Sequence, residues 1–303
     1  MKFMINLICP DFVIGRPVYE VLLPLIKEYP YIQQEGRRIY SVYGNYPGMI
    51  WAGGWVNIKG EVALQEKIVE DLRFYNTYEV RLTLTLTNTQ LNKIHLLDTY
   101  CNLVCAIFNQ TNYNSALTVD EKLEAHLKSR YPNINLHKSI VATKDKPYPE
   151  NWQDYEMVVL RRSLNPELKS ISLNPELMNK AEILCNDLCL DDCQRLYEHY
   201  DIDSSAAPWF SENISGIACP YMKEKGSPFC QYFREHRLKT YISPSKVSEL
   251  AAIGFKNFKL SGRGNLPHIV ETVVSYLIKP EYQSDVRQLI YHHILEGGKR
   301  NGN

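Results

Sequence analysis

The sequence lacks a charge imbalance: its Lys+Arg and Asp+Glu counts are both 34. A chain without a net field has nothing to draw a phosphate backbone or an acidic membrane by charge alone, and no strong basic patch for nucleic acid stands out. No apolar run reaches ~18 residues, so no membrane span is expected. The apolar start, Met1–Gly15, contains no small-residue cleavage site and reads as a first strand rather than an export signal. A cytoplasmic, reducing setting is therefore expected, and there paired disulfides are rare. No Ser-centred elbow, HExxH pair or P-loop occurs, which removes the common hydrolase and nucleotide signatures. Gly262–Asn265 (GRGN) is too short for a dinucleotide fingerprint.

What is present is an ordinary soluble composition, 45% hydrophobic and 22% charged, able to bury a large core. Length alone suggests about two domains, yet one (β/α) barrel of about 250 residues would use most of the chain. Eight strands are expected, at Lys2–Ile8, Arg38–Tyr43, Glu79–Thr87, Ser115–Thr118, Ile134–Ala142, Tyr155–Leu160, Glu182–Leu184 and Gly254–Leu260. Helix-like stretches separate most of them, among them Gln90–Phe108, with Asn88 or Thr89 as its cap. The pattern predicts a (β/α)8 TIM-like barrel, complete or distorted, with a doubly wound open sheet as the competing architecture. The barrel should occupy residues 1–280, with a cysteine-bearing insertion at about 201–240, and residues 281–303 should form a C-terminal helix and tail. The hexapeptide SLNPEL occurs at Ser163–Leu168 and at Ser172–Leu177. Asn as helix cap followed by Pro predicts two capped turns in a row.

Five of the eight cysteines fall within Cys185–Cys230. Cys189 and Cys193 are four residues apart, one face of a helix. Cys219 and Cys230 lie in a Pro- and Gly-containing stretch able to fold back over that helix, and the four together would make a sulfur site. An iron–sulfur cluster tolerates such spacing. Structural zinc prefers ligand pairs two to four residues apart, which Cys219 and Cys230 are not. Plain burial is the third reading, and the favoured one for Cys9, Cys101 and Cys105. The spacing of Cys185, Cys189 and Cys193 does not match the triplet of radical-SAM enzymes.

In a barrel, chemistry gathers at the strands' C-terminal ends. The polar residues there are Tyr43, Asn45, Thr87, Asn88, Thr143, Arg161, Arg162, Asn186, Asp187 and Arg263. Arg161, Arg195 and Arg263 could together hold a carboxylate or phosphate, Arg263 having room between Gly262 and Gly264. The bland alternative makes Arg161 and Arg162 strand-end charges, one of them paired with Asp187. His199 is either a general acid–base or a helix-surface residue. His292 and His293 read as solvated.

Several of these stretches resemble the collagenase-like peptidase family U-32. They are the strand end Leu184–Asp187, the run CLDDCQRLYEHY at Cys189–Tyr200, the tail from Cys230 through Ser243-Pro244 to Gly262-Arg263, and Asp98–Asn109 after the third strand. The similarity covers most of Glu79–Arg263 and is specific in its last third. It implies a TIM-like barrel and, as in several members, a four-cysteine [4Fe–4S] cluster. Cys189, Cys193, Cys219 and Cys230 fall at the ligand positions, and Cys185 at an apolar one. Some relatives support oxygen-independent hydroxylation of a quinone precursor or of tRNA. The expected function is accordingly a redox or hydroxylation-type iron–sulfur enzyme, or its accessory, acting on an anionic small molecule or RNA with a redox partner. Arg161, Arg195, His199, Arg263, Asn186 and Asp187 are its catalytic candidates. The alternatives are a non-catalytic metal-stabilised binding protein, with zinc in place of the cluster, and a U32-type peptidase. Gln194 and Ser261 depart from the family pattern, which has a Pro and an acidic residue there.

Overall fold

In the computed structural model the apolar runs form strands that close into a ring. They are β1 (Ile5–Pro10), β2 (Arg37–Gly44), β3 (Arg81–Leu86), β4 (Ser115–Thr118), β5 (Asn135–Lys138), β6 (Met157–Val159), β7 (Ala181–Leu184) and β8 (Asn257–Lys259). Each pairs in parallel with the next, and β8 pairs with β1, Leu7 opposite Phe258. The architecture is thus the closed (β/α)8 barrel and not an open doubly wound sheet. The structure describes residues 4–53, 61–143, 146–187, 196–206, 239–262 and 264–300. No helix among them is long and apolar enough to cross a membrane.

The helices are α1 (Arg16–Glu28), α2 (Gln65–Thr77), α3 (Thr99–Phe108), α4 (Glu121–Arg130), α5 (Pro175–Lys180), α6 (Leu196–Ala206), α7 (Pro244–Ala252), α8 (Leu266–Leu277) and α9 (Gln283–Arg300). Helix α3 starts later than the expected Gln90, because Asp98 is the cap, accepting from the Cys101 N–H at 2.7 Å. Asn88 is buried and spends its amide on the Ile50 and Ser204 carbonyls instead. The two SLNPEL copies also diverge. Asn174 caps α5 as expected, but Asn165 caps nothing: its amide donates to the Leu184 and Thr240 carbonyls from a buried position. Helix α9 lies against α1, where His293 meets Glu20 at 3.2 Å, so His293 is not simply solvated.

Alternation decides which side chains face the helices. Leu82, Leu84 and Leu86 join the outer core, while Thr83 turns to the bore and bonds Ser115 at 2.8 Å. In β2 a register shift places Ile39 opposite Leu7 but Ser41 opposite Ile8, so Tyr40 is an extra residue. The shift resets the alternation: Ile39 and Val42 both pack among the helices, and Tyr43 falls to the bore.

That bore departs from the branched apolar filling usual in such barrels. At its N-terminal end Glu156 is met by Arg81 at 2.5 Å, His137 at 3.2 Å and the Tyr40 hydroxyl at 3.4 Å. Arg81 also stacks on the Tyr40 and Tyr113 rings. Burial alone would raise the Glu156 pKa, but His137 and Arg81 outweigh it and bring the carboxyl down to about 2. A group depressed on folding stabilises above its unfolded value of about 4.3 and loses that contribution as pH falls toward its folded value. Glu156→Gln should therefore cost on the order of 2 kcal/mol near neutral pH, allowing for the carboxylate's partial exposure. The gap from wild type in urea midpoint should shrink between about pH 5 and about pH 2.5. A gap constant over that range would contradict the assignment.

Candidate functional site

The C-terminal mouth is built from loops tied to one another by polar side chains. At the end of β7, Asn186 is 4% exposed. Its Oδ1 accepts from the Ser261 N–H at 2.7 Å, and its Nδ2 donates to the Ser261 carbonyl and the Thr272 hydroxyl, both at 3.3 Å. From the other side, Asp11 takes the Gly264 N–H on Oδ2 at 2.9 Å while its Oδ1 accepts from the Val13 and Ile14 N–H groups. The two side chains together pin the loop on either side of position 263. Asn186, expected among catalytic groups, is thus built into the scaffold as a positioning residue. Asp187 pairs with Arg162, itself buried, at 2.5 Å, the strand-end pairing that was the bland expectation. Arg161 is half-buried just past the end of β6.

Asn45 lies just past β2, and its Oδ1 accepts from the Thr85 N–H and hydroxyl. Its Nδ2 is buried with no hydrogen-bond partner among the described residues. Past β3, Thr87 donates its hydroxyl to the Gly53 carbonyl at 2.9 Å. Gly53 presses so close that a Cβ there would lie 2.5 Å from Asn88 Cα and from the Thr87 carbonyl oxygen. Both are backbone-anchored atoms that cannot swing aside. Gly53→Ala is expected to cost about 1–3 kcal/mol by displacing the β2–α2 loop, readable as an earlier urea transition. Thr143 is buried at the end of a short 3-10 turn and bonds the Ile140 carbonyl.

Past Asp187, helix α6 docks against the end of β3. Asn88 Nδ2 donates to the Ser204 carbonyl, the Thr89 N–H to the Ser204 hydroxyl, and the Thr89 hydroxyl and Gln90 amide to Asp201 Oδ1 at 2.6 and 3.0 Å. The chain returns beside β7, where the Ile242 N–H donates to the Cys185 carbonyl and Asn165 Nδ2 to the Thr240 carbonyl. In the ring order β3 and β7 stand on opposite sides. Cys189, Cys193, Cys219, Cys230, Arg195 and Arg263, with the side chain of His199, lie outside the described residues.

The other four cysteines, Cys9, Cys101, Cys105 and Cys185, are free and buried. Burial pushes each thiol well above the ordinary range. Among the described residues no group of three or more His, Cys, Asp or Glu is placed to hold a metal.

Beneath the mouth the bore carries charge that sequence reasoning missed. Lys259 Nζ meets Glu182 Oε1 at 2.7 Å and lies 4.5 Å from the centroid of the Tyr43 ring, whose hydroxyl donates to the Leu260 carbonyl at 2.8 Å. Lys259 and Glu182 are 6% and 1% exposed. The signal was a single charged residue in each of two short strands, Ala181–Leu184 (AEIL) and Asn257–Lys259 (NFK).

The fold and mouth define a class: a closed (β/α)8 barrel with a charged bore and a helix, α6, docked at the end of β3. No family model matches the chain, and no curated protein matches it. Among solved structures it is similar to one described as "The Structure of the U32 Peptidase Mk0906", at 12% identity and a TM-score of 0.46, covering 86% of this chain and 93% of that one.

Proposed function

We propose that this protein is an iron–sulfur redox enzyme of the U32-like kind. Cys189, Cys193, Cys219 and Cys230 would ligate a [4Fe–4S] cluster, and an anionic small molecule or RNA group would react at the C-terminal mouth. The observation that carries the reading is the charged bore beneath the mouth at which α6 is docked. A buried Lys–Glu pair seldom stabilises a core better than apolar side chains of the same volume, and this one lies in the bore beneath the mouth.

A cluster held by four thiolates takes up and gives up electrons one at a time. The protein's part is to place the substrate. Arg161, with Arg195 and Arg263, offers guanidinium forks to an oxyanion. Asn186 and Asp11 hold the loop bearing position 263 at the mouth. His199 is the group suited to move a proton.

Anaerobic purification followed by iron, sulfide and zinc analysis and a visible spectrum tests the proposal. About four irons and matching sulfide per chain, with broad visible absorption, are expected. A colourless protein holding one zinc overturns it in favour of a metal-stabilised binding protein.

A further inference from the structure

Of the three ammonium hydrogens of Lys259, one is used by Glu182, and Nζ makes no other hydrogen bond among the described residues. Tyr43 lies beside it, tied to the Leu260 carbonyl, so the ammonium is held in place by a carboxylate and a ring face rather than left to swing. Above it Asn45 presents an amide whose Oδ1 is already engaged and whose buried Nδ2 has no partner among the described residues. In the layer of Lys259, Ile8 pairs with both Lys259 and Ser41, and the buried Ser41 hydroxyl also has no partner. Donors are in surplus here, so the complementary ligand is rich in acceptors.

We infer that Lys259 is the floor of the substrate pocket and receives an oxyanion of a small molecule, a carboxylate or a phosphate, rather than an RNA backbone. The inference deepens the proposed function and rests on its placing of substrate in the mouth, not on the metal. Size decides between the substrates. An eight-stranded barrel has an interior just wide enough for side chains or one small ligand. A Lys as buried as this one can be reached by a small acid and not by a polynucleotide chain. Glu182 keeps the ammonium aimed and is a positioning residue.

The full-length protein, purified anaerobically, is titrated with benzoate, with inorganic phosphate and with a single-stranded oligonucleotide, followed by calorimetry. One of the two small anions should bind at one site. Lys259→Met/Glu182→Gln, which removes both charges together and strands neither, should weaken that binding about ten-fold or more. Lysine-selective NMR of the wild type gives a second readout that requires no neutral variant to fold: one ammonium signal, the one missing in Lys259→Arg, should shift on adding the anion. The inference is overturned if neither anion binds, if the double variant binds as wild type does, if that signal stays still, or if the oligonucleotide displaces the anion with equal affinity. Iron and sulfide measured on the same samples separate the two readings. Lys259-dependent anion binding without iron removes the cluster and keeps the pocket, and a full cluster without anion binding does the reverse.

Discussion

Cys193→Ala, prepared anaerobically, is expected to lose its visible absorption and most of its iron, while Cys185→Ala keeps both. The two cysteines are eight residues apart in one stretch, and the proposal gives them opposite roles. Cys185 is 1% exposed, packs in the core behind β7 and keeps its Sγ near the Ile183 carbonyl. Burial raises its pKa, with the nearby Arg37 opposing only in part. Such a thiol packs as a small apolar group, so Cys185→Ala should cost about 1–2 kcal/mol of stability through the cavity it leaves. Removing one of four ligands, by contrast, deprives the cluster of a covalent anchor, and Cys189→Ala, Cys219→Ala and Cys230→Ala should resemble Cys193→Ala. Iron per chain and absorbance near 400 nm, about where thiolate-to-iron transitions fall, distinguish the outcomes. A Cys193→Ala protein with its iron intact, or a Cys185→Ala protein stripped of it, would reassign the ligand set.

The barrel was legible in the sequence because its strands are local. Arg81–Leu86 alternates apolar and polar residues without interruption, and that period needs no tertiary knowledge. What escaped were decisions made by contacts far apart along the chain. The two SLNPEL copies have the same local preference, yet Asn165 is drawn into the core by carbonyls at Leu184 and Thr240 while Asn174 remains a cap. Asp98 wins the start of α3 from Asn88 and Thr89 because those two are engaged by α6. At the site, Asn186 and Asp187 could be singled out from their place after a strand. Their partners Ser261 and Arg162 come from neighbouring strand ends, so the scaffolding part they play could not be read locally. The Lys259–Glu182 pair spans 77 positions, and neither residue alone distinguishes a bore from a surface.

Glu124→Ala should be the most destabilising of the substitutions considered, by about 3–5 kcal/mol, because it strands a buried ammonium. Glu124 and Lys138 are each 5% exposed, and the pair meets at 2.5 Å between α4 and β5. The carboxylate also accepts from the Thr118 hydroxyl at 2.8 Å and the Tyr155 hydroxyl at 2.7 Å, joining four consecutive segments of the barrel wall. Without it Lys138 retains only the Val119 carbonyl at 3.3 Å and the Tyr155 ring. For a domain of this size the melting temperature should fall by roughly 5–8 °C. Most of that cost belongs to the orphaned charge rather than to the pair. Glu124→Leu/Lys138→Met, which removes both ions and fills their volume, should therefore recover most of the loss. A double variant no more stable than Glu124→Ala would instead assign the stabilisation to the Thr118 and Tyr155 hydrogen bonds. The same measurement bears on the mouth: β5 leads into Ser139 and β6 into Arg161, so a wall loosened at Glu124 should weaken small-anion binding, and restoring the packing without the charge should restore it.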